Sequence, residues 1–251
     1  MICVAGMPRS GTSLVTQMLH RCGVDLGPRE QLMPASINNT DGFWENLRFV
    51  QLNERLLKAS GGTWFVPPAT LRPTPNIIAD AKAIAGQFEG REPWAWKDPR
   101  NAVTLPFWKT LLPSMKVLVC VRHPAETAAS LLASTLIPRT FHWWLLPSKR
   151  RVRIYDAALE LWRVSNTTIL EHTTPADRIV THYDAVLANP RVELERIVAF
   201  AGVSVSSEVL DEAVRVVSPR LRHQRADAAT LNPEIAALYA QLLREASNIS
   251  A

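Results

Sequence analysis

The feature that most constrains the fold is a glycine-rich segment near the N-terminus, residues 6–13, with the sequence GMPRSGTS. It follows a short β-prone run, Ile2 to Ala5, and precedes residues 14–22, whose apolar positions recur at helical spacing. The order strand, glycine loop, helix places backbone N–H groups at a helix N-terminus, where their partial positive charge attracts an anion. The segment therefore predicts a phosphate-binding loop within an α/β fold.

The loop differs from the nucleotide triphosphatase pattern at one position. The spacing is that of G-x-x-x-x-G-K-[ST], but Thr12 occupies the place of the lysine. Triphosphatases use that lysine on the β- and γ-phosphates, so its absence argues against hydrolysis of ATP or GTP. The cation of this loop is Arg9 instead, which predicts a site for a different kind of anion.

Further strands and helices alternate along the chain. Residues 116–121, KVLVCV, form the continuous valine-rich run typical of a buried parallel strand, and residues 93–97 and 178–182 are shorter candidates. Helical patterns occupy 47–57, 77–88, 125–133, 155–170, 190–201 and 208–217, whereas 24–46, 61–76 and 135–153 are predicted to be irregular. This alternation predicts a central parallel sheet with helices on both faces. We expect one three-layer α/β domain over residues 1–251, of the P-loop NTPase-like class.

Composition excludes several other classes of protein. Hydrophobic residues make up 47% and charged residues 20%, which is typical of a globular chain. Three cysteines without a CxxC motif argue against a disulfide scaffold or a zinc site, and no apolar run reaches the ~18 residues of a membrane span. No basic segment precedes the first strand, so we expect no secretory signal and a cytoplasmic location. The net charge of +5 favours an anionic ligand, and we expect neither a metal nor a nucleic-acid partner.

The loop and a second element resemble the donor site of sulfotransferases that use PAPS (3′-phosphoadenosine 5′-phosphosulfate). Residues 8–13, PRSGTS, are similar to the 5′-phosphosulfate loop of that family. The family binds the 3′-phosphate with a strand-end arginine and a serine eight residues later, and Arg122 and Ser130 have that spacing here. The resemblance implies that Arg9, Ser10, Gly11, Thr12 and Ser13 hold the 5′-phosphate, with Arg9 offsetting the charge that grows there. Arg122 and Ser130 would then bind the 3′-phosphate.

Two other segments bear on the chemistry. Residues 96–100, WKDPR, resemble the Lys-Asp-Pro of tyrosylprotein sulfotransferases, which implies that Lys97 steadies the sulfuryl group in transit. Bacterial members carry a Gly-aromatic-aromatic-Glu segment after the first helix, and residues 42–45, GFWE, are similar to it. Carbohydrate and tyrosylprotein members use a carboxylate base after that helix, so Glu45 is the first candidate for the base. Asp98, at the strand end, is the second.

The C-terminal part matches the family more weakly. Residues 183–190, YDAVLANP, resemble a Tyr-Glu-Asp-Leu-Leu-x-x-Pro segment of bacterial members. The family closes its 3′-phosphate site with late basic residues, and the stretch SPRLRHQR at 218–225 supplies Arg222 as a candidate. The Arg-Lys-Gly signature of cytosolic members is missing.

The function predicted from these segments is sulfuryl transfer from PAPS to a hydroxyl group, with PAP as product. A small-molecule P-loop kinase and a non-catalytic nucleotide-binding module are the alternatives. The acceptor stays open among sugars, glycolipids, peptide tyrosines and small metabolites. Residues 143–153 pair two tryptophans with a basic tract, which forms a solvated loop, a lid over the acceptor or a weak contact with a membrane surface.

Overall fold

Four parallel strands form the central sheet of the computed structural model, which describes residues 1–34, 42–134, 148–218 and 231–247. The strands are β1 (Ile2–Ala5), β2 (Ala95–Lys97), β3 (Lys116–Val121) and β4 (Arg178–His182), in the order β2-β1-β3-β4. The predicted parallel sheet is confirmed, and β2 begins two residues later than expected. In this order the chain runs from β1 to β2 on one side of β1 and then crosses over to β3 on the other side. The carboxyl ends of β1 and β3 therefore flank a switch point, where open α/β sheets bind ligands.

Alternation along the strands divides the core into two layers. Cys3, Ala5 and Val119 face one layer, whereas Val4 and Leu118 face the other. Helices cover both faces, so the predicted three-layer, P-loop NTPase-like architecture is confirmed. The helices on the first face are α2 (Leu47–Ala59), α3 (Pro75–Gly86), α4 (Asn101–Leu111), α5 (Pro124–Ser134), α6 (Ser148–Glu171) and α10 (Pro233–Ser247). Those on the second are α1 (Thr12–Arg21), α7 (Tyr183–Ala188), α8 (Pro190–Ala201) and α9 (Ser207–Val214).

Helix α6 begins earlier than the sequence predicts. It begins at Ser148, so the expectation of irregular structure over 135–153 is wrong for its last six residues. The first turns of the helix carry Lys149 and Arg153 and lack an apolar stripe, which is why periodicity placed the start near residue 155. Within the described ranges, no helix combines the length and apolarity that crossing a membrane requires.

Candidate active site

Glycines shape the loop between β1 and α1. A Cβ on Gly6 would lie 2.5 Å from the Cys120 carbonyl oxygen, and one on Gly11 would lie 2.6 Å from Cδ2 of Tyr183. Gly11 has a φ of 94° and Arg9 a φ of 75°, which is unusual for a residue with a side chain. The loop thus passes so close to β3 and Tyr183 that only glycine fits at these two positions.

The loop places the N-terminus of α1 at the carboxyl end of the sheet. Gly11 is the N-cap and provides no side-chain oxygen, and no acidic residue lies in the first turn. A helix leaves its first N–H groups without intrahelical partners and concentrates partial positive charge there. This end of α1 is therefore suited to an anion.

Arg9 connects the loop to the segment that follows β3. Its Nε donates a hydrogen bond to Ser130 Oγ at 3.1 Å, although 121 residues separate the two along the chain. Burial, with the charge of Arg122 as the second cause, lowers the pKa of Arg9. Two guanidinium groups and one hydroxyl therefore gather beside the loop.

Arg122 is buried at the end of β3 between two partners from different helices. Its Nε donates to Glu126 Oε2 at 3.0 Å, and its guanidinium carbon lies 4.8 Å from the centre of the Tyr183 ring. The same ring lies against Gly11, so Tyr183 bridges the phosphate loop and Arg122. Sequence analysis assigned no role to Tyr183, although it is the first residue of the segment 183–190 that resembles the family. No motif in the sequence pointed to Glu126.

A buried ion pair between Lys97 and Glu45 lies at the candidate site. Lys97 Nζ, at the end of β2, lies 2.7 Å from Glu45 Oε1, and only 2% and 7% of the two side chains are exposed. Burial is the main cause that raises the pKa of the Glu45 carboxyl, and the charge of Lys97 opposes it. Burial therefore increases the proton affinity of this carboxyl above that of an exposed glutamate, which is the direction that a general base requires.

Local structure fixes the position of Glu45. The next residue, Asn46, is the N-cap of α2, and its side chain accepts from Arg48 N–H at 3.1 Å. Met33 N–H donates to the Glu45 carbonyl at 2.7 Å. Trp44, just before it, has a φ of 60°, a conformation that costs of order 1–3 kcal/mol in a residue with a side chain.

Asp98 has a different environment from Glu45. It is fully buried, with Oδ2 accepting from Asn53 Nδ2 at 2.8 Å and Oδ1 accepting from Arg100 Nη1 at 2.9 Å. Asn53 Oδ1 in turn accepts from Thr104 Oγ1 and from Trp108 Nε1. This network ties α2 to the end of β2 and to α4. Nothing in the sequence singled out Asn53.

A cavity of about 280 Å³ opens over these groups. The phosphate loop lines it with Arg9, Thr12 and Ser13, and Glu45 and Lys97 also reach it. Its remaining walls are mostly apolar: Pro8, Met33, Phe43, Trp64, Pro99, Arg100, Val103, Leu161 and Ser165. Asp98 is not among the lining residues. The loop's anion site and the Glu45–Lys97 pair thus open into one space.

Some predicted residues fall outside the description. Arg222 lies in 219–230, and the tryptophans of the 143–153 segment lie in 135–147; neither range is described. Among the described residues, no group of three or more His, Cys, Asp or Glu is arranged to hold a metal ion.

Comparison with known proteins points to one family. A profile described as the sulfotransferase family matches residues 2–207. The fold is similar to the sulfotransferase domain of the Synechococcus PCC 7002 olefin synthase, at 20% identity over 97% of this chain and 94% of that one, with a TM-score of 0.59. It is also similar to the sulfotransferase domain of the curacin biosynthetic pathway, at 17% identity over 97% of both chains, with a TM-score of 0.56. Sulfotransferase STF9 from Mycobacterium avium matches at 18% identity over 97% of this chain and 76% of that one, with a TM-score of 0.50. No curated protein matches.

Proposed function

This chain belongs to the sulfotransferase family, and we propose that it transfers a sulfuryl group from PAPS to the hydroxyl group of an acceptor, with PAP as the second product. The observation that carries the proposal is the hydrogen bond from Arg9 to Ser130. It joins the phosphate loop to the Arg122–Ser130 element, so the residues assigned to the two phosphates of one donor lie together. Of these residues, Arg9, Thr12 and Ser13 line the cavity that also holds Lys97 and Glu45, whereas Arg122 and Ser130 are not among its lining residues.

The residues present fit such a donor. The uncapped N-terminus of α1 and Arg9 suit the 5′-phosphate, and Gly11 keeps the approach free of a side chain. Arg122 presents a planar guanidinium, the group best matched to a phosphate, and Ser130 adds a hydroxyl. Separate cations for two phosphates would distinguish PAPS from nucleotides that lack the 3′-phosphate.

The proposed chemistry is an in-line displacement. PAPS, when bound, supplies the sulfuryl group. The acceptor oxygen forms a bond to sulfur as the bond from sulfur to the 5′-phosphate oxygen breaks, and the acceptor proton passes to Glu45. Lys97 neutralises charge on the sulfuryl oxygens, and Arg9 with the loop N–H groups offsets the charge left on the phosphate.

Glu45 is better suited to the role of base than Asp98. The Glu45 carboxylate lines the cavity, and burial raises its pKa. Both Asp98 oxygens already accept hydrogen bonds, from Asn53 and Arg100, and the Asp98 side chain has no solvent-exposed surface. We therefore assign proton transfer to Glu45 and the positioning of β2, α2 and α4 to Asp98.

Turnover of radiolabelled PAPS with a panel of hydroxyl acceptors tests the reaction. Glu45→Gln keeps the shape of the side chain but cannot take a proton, so we expect turnover to fall by ~10²–10⁴ while the Kd for PAP stays nearly constant. Asp98→Asn, the comparison variant, is expected to lower the Tm and leave the pH dependence of turnover in place. If Asp98→Asn removes that dependence and Glu45→Gln does not, the base is Asp98.

Calorimetric titration tests the donor site. Arg122→Ala should weaken the binding of PAP much more than that of 5′-AMP, because only PAP carries the 3′-phosphate. Equal losses for the two nucleotides would contradict the assignment of Arg122. Tighter binding of ATP or GTP than of PAP in the unmodified protein would contradict the proposed function.

A further inference from the structure

A second cavity, of about 500 Å³, shares a wall with the candidate active site. The shared side chain is Val103, which is 8% exposed and lines both spaces. The second cavity is lined mainly by apolar side chains from α3, α4 and the segment before α3, among them Leu71, Ile78, Pro106 and Phe107. Its charged or titratable lining residues, Glu171 and His172, are both exposed.

Two helix faces run from the first cavity into the second. On α4, Val103 is followed by Phe107 and Thr110, at separations of four and seven residues. On α6, Leu161 and Ser165 line the first cavity, and Thr168 and Glu171 line the second. Positions at these spacings lie on one face of a helix. The two cavities therefore follow one another along the line where α4 and α6 pack together, and we call the two together the groove.

The segment 63–73 covers this groove along its length, and we call it the roof. Trp64 contributes to the first cavity, and Pro68 to Pro73 contribute to the second. The roof is irregular: Thr63 N–H donates to the Val66 carbonyl at 2.9 Å within it, and Arg72 N–H donates to Ser60 Oγ, just after α2, at 2.8 Å. An elongated ligand that starts at Glu45 and passes Val103 would thus lie against the roof, with its other side open to solvent near Thr110 and His172.

We propose that the acceptor is an alcohol with an extended apolar chain, whose hydroxyl group meets Glu45 and whose tail passes Val103 into the second cavity. This inference rests on the proposed function and names its acceptor class. Nine of the fourteen residues that line the second cavity are apolar, and an alkyl tail gains free energy by burial against such surface. Val103 and Thr110 are seven residues apart, about 10 Å along the helix, which matches a tail of about eight carbons.

Sulfation of a series of unbranched alkan-1-ols, assayed with radiolabelled PAPS, measures how kcat/KM depends on the length of the tail. We expect kcat/KM to rise about fourfold for each carbon that enters the second cavity, the factor given by burial of one methylene group, and then to level off. Thr168→Trp, which fills the cavity from α6, should remove this rise and leave short alcohols unaffected. Val192→Trp, at an exposed position on α8, is the matched control and should keep the rise. A profile that is flat with chain length, while short alcohols are sulfated, overturns the inference and leaves the proposed function standing.

A binding measurement separates the two proposals. Calorimetry with dodecan-1-ol and hexan-1-ol, in the presence of PAP, should give much tighter binding of the longer alcohol, and Thr168→Trp should abolish the difference. Thr110→Trp, at an exposed position on the facing helix, gives the same test if Thr168→Trp does not fold. Binding of dodecan-1-ol that is absent, or that neither variant changes, overturns the inference. Length-dependent binding without any sulfate transfer supports the groove and contradicts the proposed function.

Discussion

Replacing Lys97 by methionine should destabilise the protein in a way that depends on pH. Lys97 and Glu45 are 2.7 Å apart and almost fully buried. At an effective dielectric constant of about 20, their gross attraction is about 6 kcal/mol. Desolvation offsets part of that attraction, and loss of one partner from a buried pair costs about 3–5 kcal/mol, because the other charge is left uncompensated. We therefore expect Lys97→Met to lower the free energy of unfolding by about that amount at neutral pH.

The sign of the pH effect follows from Glu45. Burial already raises the pKa of its carboxyl, and without the lysine charge that opposes this effect the pKa rises further above its value in the unfolded chain. The folded variant then binds a proton more readily than the unfolded variant, so its stability increases as the pH falls through the raised pKa and decreases as the pH rises. The deficit against the unmodified protein should shrink between about pH 7.5 and pH 5.5.

Urea unfolding followed by circular dichroism at the two pH values provides the measurement. Arg55→Met is the control, because the Arg55–Asp80 ion pair is exposed on both sides and its loss should cost ~0–1 kcal/mol. The double variant Lys97→Met/Glu45→Gln should recover most of the loss, since it leaves no buried charge. A Lys97→Met cost below about 1 kcal/mol at neutral pH, or a double variant whose cost is the sum of the single ones, would refute the reasoning.

Two further predictions concern the base and the loop. Glu45 must be ionised to accept a proton, and burial raises the pKa of its carboxyl. We therefore expect kcat/KM to fall on acidification at a higher pH than the pKa of a free glutamate would give. A pH–rate profile measures this, and the fall at acidic pH should be missing in Glu45→Gln. Gly11→Ala should weaken PAP binding at least about tenfold in calorimetry, because its Cβ would lie 2.6 Å from Tyr183. Gly23→Ala is the control, because Gly23 also has a positive φ but no atom lies within 4 Å of a Cβ added there. Equal losses of PAP binding in the two variants would mean that crowding at Tyr183 is not the cause.

Local sequence predicted the sheet well and singled out both segments of the proposed donor site. The run KVLVCV matches β3 residue for residue, because a buried parallel strand needs only a continuous apolar stretch. The loop 6–13 and the Arg122–Ser130 pair are likewise short-range patterns. Their meeting through Arg9 depends on the order of the strands, which the alternation of elements implies only in outline.

Other parts of the site have no local signal. Asn53 lies in an ordinary amphipathic helix, and its partners Asp98 and Trp108 are 45 and 55 residues away. Helix α4 was not predicted, because Pro106 falls within it and an interior proline argues against a helix. Without α4 the groove that begins at Val103 is not visible in the sequence. These features depend on tertiary packing, which residue patterns encode only indirectly.

The Asn53 network has a consequence for how proteins of this design diversify. It joins the helix that follows Glu45 to the strand that ends in Lys97, so the distance between these two side chains is set by buried hydrogen bonds. The roof lies outside that network and is anchored at its edge by Ser60. Under the proposed function, substitutions in the roof would therefore alter which acceptors bind and leave the Glu45–Lys97 pair in place. A mutant library confined to residues 63–73 would therefore be expected to change acceptor preference without altering the Glu45–Lys97 pair.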